Sequence, residues 1–274
     1  MRLLNFLNEN SFDLNNIKDD LMKIASQSGD KFAKSILLLD QSGILDVILP
    51  EITNLKKFKE EMSHHPEAYE DGKEGTVFDH VIAAIKTNKI ADPIINLAIL
   101  VHDVGKGLSY DLKDGKHSYY GHAEKSKELI DKIADRLKLS TKEREALLFA
   151  ALNHMKILNA PQMKPNKILK LIDNEYWPVL KAVYYCDDAC RTGLFNRSEY
   201  EQIIKNIEDI YKKHGEQKAE KVADVVDGKT IIKITGMKPG KQVGVIIKKV
   251  TDIVKKGSKE KIEDIIMRVY NEIA

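Results

Sequence analysis

Histidine and aspartate stand side by side at the centre of the stretch AILVHDVGKG, where His102 and Asp103 follow an apolar run. Imidazole and carboxylate groups are common ligands of divalent metals. A carboxylate next to a histidine can also bridge two ions that share a hydroxide acidified by the metal. The stretch is therefore a candidate centre of a metal site.

Further histidines and aspartates lie beside apolar segments at intervals along the chain. His80 is flanked by apolar residues, His122 and His154 lie at the ends of helical patterns, and Asp187 and Asp188 stand together in YYCDDACR. Taken singly, each is also explained by a hydrogen bond in the core or by capping of a helix. Taken together, such side chains on four or five helices can form a metal site in a bundle. Nitrogen and oxygen ligands without thiolate suit iron, manganese, cobalt, nickel or zinc.

Two basic residues near these positions could bind a phosphoryl oxygen. Lys106 lies three residues after Asp103, and Arg191 follows the aspartate pair. Both side chains carry the positive charge that phosphate recognition needs. For Lys106 the alternative is a lysine near a helix C-terminus that interacts with the helix dipole.

The elements that must position these residues are helical. AEKSKELIDKIADRLKLS has apolar residues at the i, i+3, i+4 spacing of an amphipathic helix, and most segments between turn signals share this pattern. KTIIKIT is the only candidate strand. HHPEAYEDGKEGT predicts a loop, KPG predicts a break, and Gly105 and Gly215 are predicted to end helices. The pattern predicts an all-α fold.

The composition excludes several classes of protein. The chain of 274 residues carries a formal net charge of +2 and is 43% hydrophobic. Its longest apolar runs are too short to span a bilayer, and its N-terminus turns polar too soon for a signal peptide, so we expect a cytoplasmic protein that binds no membrane. Lysines gather late in the chain, on either a solvated helix face or a phosphate-binding surface; they are Lys238, Lys241, Lys248, Lys249, Lys255, Lys256, Lys259 and Lys261.

These motifs resemble the HD-domain superfamily of metal-dependent phosphohydrolases. His80, the HDVGK motif and Asp187 match the superfamily's metal-binding pattern. The resemblance implies an all-helical fold in which His80, His102, Asp103 and Asp187 bind a divalent metal. His122 and His154 resemble the longer pattern of members with two metals. The residues RTG that follow CDDAC fix the alignment with the family, and this alignment implies that Asp187, and not Asp188, is the ligand.

Seven motifs resemble, in the same order, the C-terminal half of bacterial CCA-adding tRNA nucleotidyltransferases. They are ILPEI, HHPE, TVFDH, HDVGKG, GHAEKS, CDDACRTG and GMKPGKQVGVIIKKV. The resemblance runs from about Asn16 to the C-terminus. We expect an HD-domain helical bundle with flanking helices, divided into an N-terminal helical region (1–62), an HD metal-binding domain (63–215) and a basic helical tail (216–274). KPGKQVG corresponds to the tail region associated with holding tRNA.

Two departures from that family affect the expected function. The family's compact HPEGD is replaced by HPEAYEDGKEGT, so His65 either contacts the site or makes a structural hydrogen bond. The nucleotidyltransferase head carries a glycine-serine motif followed by paired aspartates, which the residues before Asn16 do not contain. We therefore expect this chain not to add nucleotides by itself.

The leading hypothesis is a phosphohydrolase that uses one or two divalent metals, drawn from Mn, Fe, Ni, Co, Mg and Zn. Its substrate would be a nucleotide or an RNA 3′ end, and the resemblance favours 2′,3′-cyclic phosphodiesterase or phosphatase activity. Asp103 and Lys106 would be catalytic, and Lys106, Arg191 and His65 would bind the substrate. The alternatives are a tRNA-binding or RNA-binding module with a structural or vestigial metal site, and the partner of a separate nucleotidyltransferase head.

Overall fold

The computed structural model describes residues 16–69, 75–256, 258 and 260–273, except for the side chains of 218–225. Within these residues the chain is helical apart from one short hairpin, which confirms the predicted all-α class. The hairpin pairs β1 (Asp111–Lys113) with β2 (Lys116–Ser118) in antiparallel register. The α-helices are α1 (Ile17–Ala25), α2 (Gly29–Gln41), α3 (Ile44–Ile48), α4 (Pro50–Asn54), α5 (Val77–Thr87), α6 (Pro93–Val101), α7 (His122–Arg136), α8 (Thr141–Leu158), α9 (Pro165–Ile172), α10 (Trp177–Ala189), α11 (Arg197–Val225), α12 (Gly228–Thr235), α13 (Lys241–Lys255) and α14 (Ile262–Ile273).

The described residues form two compact units. The first comprises the chain up to Gln162 together with Asp173–Ile203, and the second comprises Met163–Ile172 and the chain from Ile204 onward. In the first unit, buried residues of α1 to α4 share one hydrophobic core with those of α5 to α8 and α10. The three-part division at residues 62 and 215 stays a prediction.

Helix α6 is the central element of the first unit because it is apolar on almost every face. Ile95 to Val101 are all buried, including the polar Asn96. The Asn96 amide donates hydrogen bonds to the carbonyl oxygens of Ala25 and Gln27, so its burial leaves this amide nitrogen satisfied. Asp92 caps the helix N-terminus by accepting hydrogen bonds from two main-chain N–H groups. The rigid helix fixes the position of His102 at its C-terminus.

Two capping boxes start the helices that carry other candidate ligands. Thr76 and Asp79 bond reciprocally at the start of α5, three residues before His80 enters the core. Ser140 and Glu143 form the same arrangement at the start of α8. Local sequence signals therefore set where these helices begin, and with them the register of their histidines.

Gly105 does not end α6, contrary to prediction. The helix ends at Val101, and Gly105 lies within the 3₁₀ turn Val104–Leu108. A Cβ on Gly105 would lie 2.0 Å from the carbonyl oxygen of His122 and 2.5 Å from the main-chain nitrogen of Ser126. Glycine is required here because the turn packs directly on the first turn of α7.

The second unit has its own core and corrects two further predictions. KTIIKIT forms helix α12 and not a strand: Asp227 caps its N-terminus, and Gly236, with φ of 70°, follows its end. Gly215 lies inside α11, where a Cβ would approach the carbonyl oxygen of Lys255 to 2.6 Å, so it serves close packing. The predicted break at KPG lies between α12 and α13. The buried core residues are Val226, Ile231, Val243, Ile246, Val250, Val254, Ile265, Ile266 and Val269.

Among the described residues, none of the helices combines the length and the apolar character that a membrane span requires. The cytoplasmic location stays a prediction.

Candidate metal centre

The six predicted metal ligands meet in the first unit, although they come from separate parts of the chain. Four of them are buried, and the side chains of His122 and Asp187 are 12% and 17% exposed. They are His80 on α5, His102 at the C-cap of α6, Asp103 directly after it, His122 at the start of α7, His154 on α8 and Asp187 on α10.

Four of these residues form the first half of the centre. Nε2 of His80 lies 3.4 Å from Nε2 of His102 and 3.2 Å from Oδ1 of Asp187. Oδ2 of Asp103 lies 3.6 Å from Nε2 of His80 and 3.3 Å from Nε2 of His102. Metal–ligand bonds of about 2.0–2.2 Å place neighbouring ligand atoms about 3–3.6 Å apart. The donor set and its spacing therefore fit one divalent ion.

The other oxygen of Asp103 belongs to the second half of the centre. Oδ1 lies 3.2 Å from Nε2 of His122 and 3.5 Å from Nε2 of His154, and those two nitrogens are 3.4 Å apart. Among the described residues, this buried oxygen has no hydrogen-bond partner. A buried acceptor without a partner is costly, by about 1–3 kcal/mol. A second cation bridged to the first through Asp103 would satisfy it.

All four histidines direct Nε2 into the cluster because Nδ1 is already bonded. Nδ1 of His102, His122 and His154 bonds to the carbonyl oxygen three residues earlier, at 2.7, 3.0 and 2.8 Å respectively. Nδ1 of His80 bonds to the Glu67 carboxylate at 2.7 Å. A carbonyl or carboxylate oxygen only accepts, so Nδ1 carries the proton and the Nε2 lone pair is free for a metal.

Lys106 lies between two buried carboxylates. Its Nζ is 2.8 Å from Oδ2 of Asp103 and 2.7 Å from Oε1 of Glu60, and it also lies 5.3 Å from the ring centre of Tyr119. Burial lowers the pKa of Lys106, but the two carboxylates outweigh it and raise the pKa above its usual range. Burial raises the pKa of Asp103, but the neighbouring His102 and Lys106 outweigh this effect, so the pKa lies well below the usual range. Both groups are therefore charged at neutral pH.

Glu67 and His65 support the centre from the loop before α5. Oε1 of Glu67 bonds Nδ1 of His65 at 3.0 Å as well as Nδ1 of His80. Burial raises the pKa of Glu67, but the hydrogen bonds from His65 and His80 outweigh it and lower the pKa to about 2. Nε2 of His65 lies 3.7 Å from Glu60. His65 thus has the structural hydrogen bond that the sequence left open, and it also lines the pocket over the metal centre.

A pocket of about 470 Å³ opens over the centre. Arg191 lines it and pairs with Asp188, while Arg191 Nε is buried with no hydrogen-bond partner among the described residues. Burial raises the pKa of Asp188, and the pairing with Arg191 offsets only part of this effect. Asp188 faces Arg191 and Asp187 faces the histidines. The assignment of Asp187 as a ligand stays a prediction.

Sequence reasoning missed Glu60 and did not assign Glu67 a role. Glu60 lies in a segment without helical periodicity, and no spacing connects it to Lys106 along the chain. The sequence carries no signal for this contact, because Asp103 alone would already balance the charge of Lys106. The role of Lys106 toward the substrate stays a prediction.

Residues 76–176 match the family model of the HD domain. This segment of the chain is similar to HD domains. The matched range includes His80, His102, Asp103, His122 and His154, and Asp187 lies beyond it. HD domains are typical of metal-dependent phosphohydrolases and bind divalent metals, and the grouped donor atoms agree with that chemistry.

Known relatives extend the similarity beyond the HD domain. The chain is 31% identical over 174 residues to a "Multifunctional CCA protein" of Shewanella denitrificans, covering 60% of this chain and 40% of that protein. It is 28% identical over 221 residues to an "A-adding tRNA nucleotidyltransferase" of Deinococcus radiodurans, covering 79% of this chain and 49% of that protein. The chain therefore spans less than half the length of these relatives, and the resemblance predicted from its motifs is confirmed.

Proposed function

We propose that this HD-domain chain is a divalent-metal-dependent phosphohydrolase that acts on a phosphoester of a nucleotide or an RNA 3′ end, as a 2′,3′-cyclic phosphodiesterase or phosphatase. The observation that carries the proposal is the position of Asp103. One oxygen faces His80 and His102, and the other faces His122 and His154 without a hydrogen-bond partner among the described residues. This arrangement supports a pair of ions bridged by one carboxylate.

The side chains have distinct roles in this proposal. Divalent cations bound here would supply Lewis acidity toward a phosphoryl oxygen and would acidify a water molecule. Asp103 would contribute one oxygen to each ion, and Lys106 keeps the Asp103 carboxylate ionised and oriented through the 2.8 Å ion pair. Lys106 also lines the pocket, so its charge acts on the phosphoryl group. Arg191 lines the pocket, and its Nε, which has no hydrogen-bond partner within the described part of the chain, would donate to a phosphoryl oxygen.

Activity assays test the reaction. We expect purified protein with added Mn, Ni, Co or Mg to hydrolyse at least one of three substrate types: 2′,3′-cyclic nucleotides, nucleoside monophosphates and RNA with a 3′-phosphate. Asp103→Ala should abolish turnover, whereas Asp135→Ala, at an aspartate whose side chain is 79% exposed, should retain it. No metal-dependent turnover on any substrate, or equal turnover by Asp103→Ala, would contradict the proposal.

Metal analysis tests the number of ions. We expect two equivalents of metal per chain in protein purified without chelators, and one equivalent in a variant with both His122→Ala and His154→Ala. Nε2 of each residue faces Oδ1 of Asp103, at 3.2 and 3.5 Å, and His154 also packs edge-on against His102. The four residues of the first position stay in place in the double variant, so that position should survive. One equivalent in the unaltered protein, or two in the double variant, would reject the second position.

We also propose that the second unit binds tRNA or a similar RNA. Lys238, Lys241, Lys248, Lys255 and Lys256 are exposed there. Lys259 lies outside the described residues. The support is this charge and the alignment with a tRNA nucleotidyltransferase across 79% of the chain.

Filter binding to tRNA at several salt concentrations tests this binding. Affinity should fall steeply with salt, and Lys248→Ala should reduce the slope of log affinity against log salt by about 1. Lys142→Ala, at an exposed lysine of α8 in the first unit, is the matched control. Affinity that does not depend on salt would exclude a phosphate-binding surface.

A further inference from the structure

Most residues that line the pocket over the metal centre are polar or charged, and two aliphatic side chains form an apolar strip among them. Met155 and Leu158 are three residues apart on α8, so they are neighbours on one helix surface. They are 46% and 42% exposed, and among the described lining residues they are the only apolar side chains that are not aromatic. Exposed apolar residues beside a charged centre are a recognised mark of a ligand site.

The apolar strip includes a residue on the same helix face as a candidate metal ligand. Leu158 lies four residues after His154 on α8, and side chains at that spacing lie one turn apart on the same face. Tyr184 precedes Asp187 by three residues on α10 and also lines the pocket. Each of these two helices therefore presents a metal ligand and, one turn away, an apolar or aromatic group to the same pocket.

The aromatic residue of this site is held rigidly. Tyr184 is buried and stacks on Tyr200, with ring centres 5.6 Å apart and planes at 25°. A ring fixed in advance loses little conformational entropy when a ligand packs against it. The pocket volume of about 470 Å³ lies within the range of small-molecule sites and far exceeds what a phosphate group needs.

We propose that Met155, Leu158 and Tyr184 form a subsite for the nucleobase of a nucleotide whose phosphoester lies at the metal centre. This inference rests on the proposed function and specifies its substrate class. A nucleobase is neutral and flat, so it can pack on the uncharged strip while the metal centre and Arg191 take the anionic end. The thioether of Met155 adds a favourable contact with an aromatic ring. The subsite favours nucleotides over small phosphoesters without a base.

Equilibrium binding to the Mn²⁺-loaded full chain tests the subsite. AMP carries a base on C1′ where ribose 5-phosphate has a hydroxyl, so the ratio of their Kd values reports the contribution of the base. We expect AMP to bind at least about tenfold more tightly. Leu158→Ser and Met155→Ser should each weaken AMP binding about fivefold, which corresponds to ~1 kcal/mol, and leave ribose 5-phosphate unchanged. If either ester is hydrolysed, KM values replace Kd values.

Val47→Ser is the matched control, because Val47 is 65% exposed and is not among the pocket's lining residues. It should leave both affinities unchanged. Equal binding of AMP and ribose 5-phosphate, binding of neither, or variants that weaken both ligands equally would overturn the subsite. Cyclohexyl phosphate binding as tightly as AMP would also overturn it, because the strip would then accept any apolar ester. Hydrolysis with no preference for the base rejects only the subsite, whereas base-dependent binding without hydrolysis rejects only the proposed reaction.

Discussion

Replacing Lys106 with methionine removes the cation that lies between two buried carboxylates while keeping most of the side-chain length. Lys106 is 5% exposed and Glu60 is 1% exposed, so water reaches neither group freely. Removing one partner of a buried ion pair costs about 3–5 kcal/mol, because the remaining charge is left uncompensated. Here Asp103 and Glu60 lose the same cation. We expect Lys106→Met to lower the free energy of unfolding of metal-free protein by about 4 kcal/mol.

A second substitution identifies the origin of this loss. In the double variant Glu60→Gln, Lys106→Met, one of the two uncompensated charges is gone. We expect it to recover about 2 kcal/mol relative to Lys106→Met alone, since interacting residues deviate from additivity by about 0.5–3 kcal/mol. A bound divalent metal would neutralise part of the Asp103 charge, so the effect of Lys106→Met should be smaller in metal-loaded protein.

The assay is urea unfolding after treatment with a chelator, followed by tryptophan fluorescence. Trp177, the single tryptophan of the chain, begins α10 in the first unit, so its signal reports on the unit that contains Lys106. Lys132→Met is the control: Lys132 pairs with Glu128 on the surface, and its loss should change stability by less than about 0.5 kcal/mol. The reasoning would be refuted if Lys106→Met cost less than 1 kcal/mol, or if the double variant were no more stable than the single one.

Three further predictions concern other parts of the first unit and the second. Glu67→Gln should weaken metal binding by about 10- to 100-fold, because Glu67 orients His80 and raises its basicity; unchanged affinity in a metal titration would contradict this. Gly105→Ala should lower stability by about 3 kcal/mol or more through overpacking, whereas Gly244→Ala, in α13 with open space around it, should be neutral or raise the urea midpoint. Burial raises the pKa of Glu143, but the hydrogen bonds with Lys18 and Ser140 outweigh burial and lower the pKa. The contribution of Glu143 to the stability of the folded state is therefore complete above its unfolded pKa of about 4.5 and is lost as pH falls below that value. Glu143→Gln should therefore be less stable than unaltered protein at pH 7, by a few tenths of a kcal/mol, and the difference should shrink in unfolding curves below pH 4.5.

The helices and the ligand set were predictable because each has a strong local signal. Amphipathic spacing located most helices, and imidazole and carboxylate groups beside apolar segments identified the candidates around the centre. The pattern left Asp187 and Asp188 open, and the family resemblance chose Asp187. Their roles as ligands stay predictions, although the geometry agrees with them.

The errors arose where long-range packing or context decides the local structure. KTIIKIT is rich in β-branched residues, yet its cap at Asp227 and the burial of Ile231 favour a helix. Gly105 and Gly215 were interpreted as helix ends, but both are required by a neighbouring main chain that is distant in sequence. Glu60 was missed because its pairing with Lys106 joins residues 46 positions apart. No pattern along the chain encodes such a contact.

The hydrogen bonds of the four histidines make the two halves of the centre unequal in their tolerance of mutation. His102, His122 and His154 are oriented by carbonyl oxygens of Ile99, Tyr119 and Ala151, which any amino acid at those positions would supply. His80 depends instead on the side chain of Glu67, which a single codon change removes. The ion position that uses His80 is therefore the one that a change at a residue outside the ligand set can impair. The position between His122 and His154 is sensitive mainly to changes in the ligands themselves.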